Sequence, residues 1–518
     1  MTAALPEKFT TLDTLTTTQS DSASERVKNL IFNTLVRKDE SFDYVGELAK
    51  DIATSPDGMT LTFTLRDGVK FHNGKVLSSA DIKYTFDELF KSDGNKAKAF
   101  YDTVPADDAK TAKPPTGPPA EGAGANTAPK AEPKTKSVRH ITSITTPDEK
   151  TVVFVIAKPG LRTQLLSNLV AVPIIPEGTV AQQKDSPVGS GPFKFVRFDA
   201  SQGILELESF PDYWEGAPKV KELRVKSLTD ATALTAELQT GEVDIAPNPT
   251  NLPPDILKSI QSAGQLNVVQ SDGSNIQYLI FNVSSGPLAN VKVRQAIGYA
   301  LDRQKIVTEL LSDQAKPASS VLPAQSWAYS PGKEYSYDPA KARQLLQEAG
   351  YKNEPIIFKF RANSAAVSQY SQAIQSSLSD VGLNIQIETL DGPTILQHLR
   401  QGQFQMYTGI WIGGNQDPIF MRDLFSSTKI PSSTVACCNR SRYSNAEVDK
   451  LVEDALNATD KSVAEQLYVR TWDIVSNDLP LMPLWYPANI VVSNKRIGNT
   501  KISPSGDWTF LKDITVSQ

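Results

Sequence analysis

A chain of 518 residues exceeds what one hydrophobic core organises, so roughly two to four domains are expected. Its 40% hydrophobic and 21% charged residues are those of an ordinary globular protein, and no run of about 18 apolar residues is present to span a membrane. A net charge of −5, with Lys and Arg dispersed among acids, argues against a nucleic-acid partner.

The start, Met1-Thr-Ala-Ala-Leu-Pro6, has neither the basic nor the apolar region of a secretory leader. Residues 27–36 read as a helix running into a strand. Residues 59–65 alternate Met-Thr-Leu-Thr-Phe-Thr-Leu, the pattern of a half-buried strand, with turn signals at Asp67-Gly68 and Asn73-Gly74. Ser78 or Ser79 can cap a helix beginning near Asp81. Residues 103–136 are rich in Pro, Ala, Gly, Lys and Thr and hold no aromatic, Ile or Leu. Such a stretch cannot bury enough apolar surface to offset its ordering entropy, and it reads as a disordered insertion before the strand 151–156.

Strand signals follow at 192–208 and 219–228, then a helix at 229–240 and a strand at 241–245, a βαβ-type unit. Segments 267–269 and 277–282 lead into a second body. There, strand 356–360, helix 367–381 and strand 384–390 predict a parallel pair in an α/β lobe. Segments 480–486 and 489–493 carry the chain back. Two crossings, near 265–282 and 480–490, make a hinge and leave a cleft between two bodies.

No HExxH, GxSxG or CxxC occurs. Gly68 to Lys75 imitates a phosphate loop, but five residues separate Gly68 from Gly74 and Val76 stands where Ser or Thr would hold magnesium, so it reads as a hairpin turn. His72, His140 and His398 lie far apart without Cys partners. The only cysteines, Cys437 and Cys438, are adjacent, which excludes a stapling framework and leaves an inert or locally paired dithiol. Neither a metal nor a cofactor is expected. The segment with binding potential is Met406-Tyr-Thr-Gly-Ile-Trp-Ile-Gly-Gly-Asn-Gln-Asp-Pro418. A strand ends in a Gly-rich turn carrying Trp411 and Asn415, Gly413 and Gly414 allow close backbone approach, and Asp417-Pro418 is ready to start a helix. The competing reading is that Trp411 is core and the glycines form a turn.

The wording of Val291-Lys-Val-Arg-Gln-Ala-Ile-Gly-Tyr-Ala-Leu-Asp-Arg303 goes beyond an amphipathic helix with Val293, Ile297, Ala300 and Leu301 on one stripe. With Arg294, Ala296, Ala300, Asp302 and Arg303 in place, it resembles the signature helix of the extracytoplasmic solute-binding proteins of peptide-type ABC transporters, family 5. In the family's order follow matches at Asp57–Gly74, Ala80–Phe86, Val188-Gly-Ser-Gly-Pro-Phe193, Tyr337–Gly350 and Tyr443-Ser-Asn-Ala-Glu-Val-Asp449, so the resemblance covers about residues 10 to 490.

The resemblance implies a two-lobed α/β periplasmic-binding-protein fold, type II and hinge-closing, with an extra α+β subdomain in the first lobe. Lobe one would comprise residues 1–38, 158–268 and 482–518, the subdomain 39–157, and lobe two 269–481. It implies a monomeric, periplasmic or extracytoplasmic protein that captures a peptide or other small-molecule ligand between its lobes and delivers it to ABC permease subunits, without catalysis. An oligosaccharide binder, or a peptide-binding sensor or chaperone without transport, are the alternatives. Because family members are normally exported, either a removed leader or a trimmed start site is expected, with little of the mature protein missing.

By the same resemblance Trp411, Gly413, Gly414, Asn415, Asp417, Tyr278, Asn282, Trp485, Tyr486 and Asn33 are the expected ligand-facing residues. One departure stands out: oligopeptide binders carry an Asp three residues after the Trp to pair with the ligand's ammonium, and here that position is Gly414. Either another acid, such as Asp21 or Glu25, replaces it, or the ligand is not an ordinary free-amine peptide.

Overall fold

The computed structural model describes residues 1–18, 22–105, 135–362, 364–432, 435 and 437–517. Asp21 and most of the expected insertion, 106–134, lie outside the described residues. Two large sheets organise the chain.

The first runs in the order Phe193–Asp199, Ile204–Ser209, Glu222–Ser227, Thr2–Leu5, Ile245–Pro247, Asn489–Asn494, Leu266–Ser271. Thr2–Leu5 is parallel to both Glu222–Ser227 and Ile245–Pro247, and the helix Ala231–Thr240 connects those two, so the βαβ unit closes around the N-terminal strand. Its faces alternate strictly. Ala3, Leu5 and Val491 point into one core, and Ala4, Ile490 and Val492 into another, so both faces are covered. The first of these cores continues without a break into a four-stranded sheet, Ala49–Thr54, Thr60–Leu65, Thr151–Ile156 and Ile141–Asp148, through Phe63, Phe86 and Phe154. The extra subdomain is therefore packed as part of the first lobe.

The second sheet has the order Ala315–Pro317, Leu481–Pro487, Ile276–Phe281, Met406–Trp411, Ile356–Phe360, Ile385–Thr389. Ile356–Phe360 is parallel to both Ile385–Thr389 and Met406–Trp411, with Ala365–Asp380 and Gly392–Gln401 as the connecting helices. Every residue of Ile276–Phe281 is buried, Leu279 and Phe281 in one core and Tyr278 and Ile280 in the other.

The chain passes between the sheets at Asp272–Asn275 and at Ala488. These crossings lie beyond the 268/269 and 481/482 divisions read from the sequence. Leu266–Ser271 hydrogen-bonds throughout to Asn489–Asn494 of the first sheet, and Leu481–Pro487 is held in the second sheet by Ile276–Phe281 and Ala315–Pro317. The expected insertion is also shorter at its ends. Tyr101–Pro105 pairs antiparallel with Thr135–Arg139, so Thr103 to Pro105 and Thr135 to Lys136 join a two-stranded ribbon.

The local motifs have physical explanations. Asn290 caps the signature helix Val291–Ala300 by accepting from Lys292 N. Arg294 is only 5% exposed, and its guanidinium donates to the carbonyls of Leu288, Ala289, Asp478 and Leu479 at 2.5–3.1 Å. Arg303 likewise reaches Ala318, Pro483 and Tyr335 carbonyls. A planar fork that ties chain reversals together explains why arginine, rather than any cation, stands at these positions. Asp338 before Pro339 and Asn445 before Ala446 are N-caps. The Gly-rich turn near Gly189 packs its backbone against the end of helix Ser22–Ile31, with Gly191 N donating to Ile31 O at 2.9 Å. The Gly68–Lys75 segment is a hairpin turn closed by an antiparallel bridge between Lys70 and Val76.

Candidate functional site

Register builds the aromatic wall of the second lobe. Ile276–Phe281 pairs antiparallel with Met406–Trp411 so that Tyr278 faces Gly409, with Ile280 opposite Tyr407 and Ile276 opposite Trp411. Residues paired in this way share a face. Tyr278 is thus flanked by Tyr407, at 6.3 Å between ring centroids, and by Trp411, stacked with it at 6.1 Å with the ring planes 23° apart. Gly409 leaves room for the Tyr407 ring, since a Cβ there would lie 2.6 Å from it. Phe420 meets Trp411 edge-on at 5.2 Å, and the Arg440 guanidinium covers the Trp411 ring at 5.2 Å. Burial and the neighbouring Tyr407 push the Tyr278 hydroxyl well above its ordinary range, against the pull of Arg440. Burial raises Tyr407 as well, opposed by Arg440 and Arg361.

The turn beyond the strand is fastened to the hinge. Gly413 adopts φ 71°, a left-handed conformation, and its N–H donates to Asn275 Oδ1 at 3.1 Å. Asn415, fully buried, donates through Nδ2 to Ser274 O at 2.6 Å and Val321 O at 3.1 Å. Gln416 Nε2 reaches Ser274 Oγ at 2.9 Å. Both Ser274 and Asn275 belong to the first crossing between the sheets. Gly414 is exposed, and the nearest atoms to a Cβ built there are those of the Phe420 ring at 3.5 Å.

Asp417 has two tasks. Its Oδ1 accepts from Ile419 N at 2.8 Å, which starts the helix Ile419–Phe425, and its Oδ2 accepts from the hydroxyl of Tyr44 in the first lobe. Lys38 stands nearby, its pKa lowered by burial and partly restored by Asp417. Further contacts join the same lips. Lys461 meets Asp43 at 2.6 Å, Arg162 donates to Ala458 O at 2.7 Å, and Arg422 donates to Gln164 Oε1 at 3.1 Å. The second lobe is therefore drawn against the first at this edge.

The ten expected ligand-facing residues divide accordingly. Trp411, Tyr278, Gly413, Gly414, Asn415 and Asp417 come together, with Asn415 serving as an anchor of the turn and Tyr278, 2% exposed, packed in the core behind Trp411. Asn282 lies at the far end of its strand, its amide donating to Gly402 O and Phe404 O at 3.0 Å and its Oδ1 accepting from Ser284. Trp485, 2% exposed, is core against Tyr370 at 5.1 Å. The Tyr486 hydroxyl is occupied by the carbonyls of Ser320 and Leu322, both at 2.7 Å. Asn33 belongs to a buried network in the first lobe: it donates to Glu47 at 2.7 Å and accepts from Ser190 and Trp214, both at 3.2 Å. Glu25, considered as a replacement acid, is ion-paired with Lys28 and Lys96.

Sequence reasoning did not find Tyr44, Lys38, Tyr407 or Arg440. Tyr407 was legible, two residues before Gly409 on the same face as Trp411. The others reach the site through the fold and carry no local signal. Among the described residues no group of His, Cys, Asp and Glu could hold a metal ion, and no helix is long and apolar enough to cross a membrane. Cys437 and Cys438 are bonded to each other.

The family model of the bacterial extracellular solute-binding proteins, family 5, middle region, matches residues 43–432. The chain belongs to that family. Heme-binding protein A of Haemophilus influenzae is 28% identical to this family 5 protein over 530 residues, covering 98% of this chain and 90% of the relative. An ABC transporter peptide-binding protein of Brucella ovis is 28% identical over 494 residues, 92% of this chain and 85% of the relative. The crystal structure of the ABC transporter substrate-binding protein CtaP from Listeria monocytogenes superposes with a TM-score of 0.81 at 21% identity, over 100% of this chain and 99% of that one. The fold is the two-lobed, hinge-closing arrangement of such binding proteins. For a family 5 protein, a turn that touches the hinge at Asn275 and the opposite lobe at Tyr44 ties the cleft wall to the angle between the lobes.

Proposed function

We propose that this family 5 protein captures a peptide between its lobes and hands it, in the closed form, to the permease of an ABC importer on the outer side of the cytoplasmic membrane, acting as a monomer. The observation that carries the reading is the half-buried Trp411, backed by the core residue Tyr278 and covered by Arg440, beside the hinge-anchored turn. An aromatic side chain supplies contact area, and the exposed backbone at Gly414, on a turn held by Asn275, supplies direction, which suits an extended backbone. The Brucella ovis relative is named for peptide binding and the Haemophilus influenzae relative for heme, so relatives do not narrow the ligand further. Binding closes the protein only if contacts are stronger in the closed state, since equal binding to both states shifts nothing.

An oligosaccharide or other neutral solute is the second reading. Gly414 favours it, because no carboxylate stands there to meet an ammonium group. A peptide-binding sensor that has no permease shares every feature of the first reading, and transport of labelled ligand into cells separates the two. The test of the ligand class is native mass spectrometry of the purified protein before and after mild denaturation. Release of peptides supports the reading, and release of a sugar overturns it.

A further inference from the structure

Cys437 and Cys438 are the only cysteines of the chain, they are bonded to each other, and both are half-buried, so a thiolate can approach their bond from solvent. The bond lies between Ser427–Lys429 and the helix Ala446–Asn457, directly before two residues with opposite placements. Asn439 is fully buried and fixed. Its N–H donates to Lys429 O at 3.0 Å, and its amide donates to Ser426 O at 3.0 Å and Tyr443 O at 2.7 Å. Arg440 reaches outward, its guanidinium over Trp411 at 5.2 Å and bonded to the Tyr278 hydroxyl. The backbone N–H of Arg440 donates to Cys438 O at 2.7 Å. Cys438 itself packs against the core that contains Tyr278 and borders Trp411. The sulfur bond on one side and Asn439 on the other therefore hold the carbonyl that orients Arg440. Asn439 stays anchored whatever the sulfurs do. Once the sulfurs part, the backbone at Cys437 and Cys438 regains its soft torsions, and the Arg440 N–H loses its fixed acceptor.

We infer that the Cys437–Cys438 bond is a reversible thiol-exchange site that sets how Arg440 covers Trp411, so that a dithiol reductant converts the protein to a form that captures its ligand more weakly. The effect on capture rests on the peptide reading above, and the exchange site does not. The dithiol supplies two electrons and two protons. Its first thiolate attacks one Sγ, the Sγ–Sγ bond breaks, and the other Sγ leaves as a thiolate that takes up a proton. Its second thiolate then closes on the mixed disulfide, releasing the first Sγ as a thiol and leaving the dithiol as a cyclic disulfide.

The test treats the natural, folded protein with dithiothreitol and then reoxidises it. Maleimide labelling with mass spectrometry counts the thiols. Near-ultraviolet circular dichroism reads the surroundings of Trp411, with Trp411→Phe identifying that residue's share of the signal. Titration calorimetry with a fixed pool of synthetic tri- to pentapeptides reads capture. Both cysteines are expected to label, the Trp411 signal to change, and affinity to fall roughly two- to tenfold, the size of one lost hydrogen bond. Reoxidation restores signal and affinity, which a folding defect would not. Cys437→Ser combined with Cys438→Ser shows the reduced behaviour permanently and ignores the reductant, because no other cysteine exists. A bond that dithiothreitol leaves closed in the folded protein overturns the inference. So does a bond whose opening leaves the Trp411 signal or the affinity as it was. If the signal changes but neither form binds the pool, the peptide reading falls and the exchange site stands.

Discussion

The phenolic hydroxyl of Tyr44 donates to the carboxylate of Asp417 across the two lobes, joining residues 373 positions apart. Asp417 also starts its own helix through Oδ1, so one side chain serves both the local backbone and the opposite lobe.

Removing the inter-lobe half of this arrangement is predicted to favour the open form. Tyr44→Phe deletes a hydrogen bond to a charged group. With a net loss of about 1–2 kcal/mol, ligand affinity falls roughly five- to thirtyfold while the fold is kept. Small-angle scattering with and without ligand reads the lobe angle, and titration reads the affinity. Unchanged scattering and affinity would show that the bond contributes nothing to closure. Asp417→Asn retains an acceptor for Ile419 N and is expected to behave like Tyr44→Phe, whereas Asp417→Ala also loses the helix start.

Asn415→Ala leaves the carbonyls of Ser274 and Val321 without their buried donor. The expected cost is about 1–3 kcal/mol, seen as an earlier urea midpoint of the second lobe. A variant as stable as the natural protein would mean that the turn is held by its other bonds alone.

Arg294→Lys exchanges a fork that satisfies four carbonyls for an ammonium with three donors on a flexible stem. A loss of about 2–4 kcal/mol is predicted, with no change in affinity for ligand once the protein is folded. Melting curves and titration together check this. A stability loss accompanied by an affinity loss would place Arg294 in the binding machinery.

Acid is predicted to weaken the first lobe through His72. Burial lowers its pKa from 6.5 to about 4, and the neutral ring bridges Gly191 O at 3.0 Å and Gly189 N at 3.4 Å. Above pH 6.5 the ring is neutral in both folded and unfolded chains, so stability is full. As pH falls from 6.5 towards 4, the unfolded chain takes up a proton that the folded one refuses, and up to about 3 kcal/mol is lost. Urea midpoints measured at pH 7 and at pH 4.5 test it. His72→Gln should flatten that part of the profile, and an equally steep profile in the variant would assign the acid sensitivity to other groups.

The strands and helices that fix the two-lobed architecture were legible because their signals are local. Alternation marked Thr60–Leu65, and strand–helix–strand spacing marked Ile356–Phe360 to Ile385–Thr389. Trp411 and its glycines were legible as a turn with an aromatic beside it. Trp485 illustrates the limit. An aromatic on a crossing strand reads the same whether it faces the cleft or Tyr370, and only the packing of helix Ala365–Asp380 decides. Tyr44 was illegible for a different reason: its partner is fixed by how the two lobes meet.

The return crossing consists of Ala488 alone, between Leu481–Pro487 in one sheet and Asn489–Asn494 in the other. The outward crossing has four residues, Asp272 to Asn275. A single residue has two soft torsions, so it works as a pivot, while the longer segment supplies slack. The swing of the lobes is then steered by backbone geometry at one point. Lengthening that link by a residue would loosen the axis itself and let the cleft close in more than one orientation, with both lobes and every ligand contact left intact.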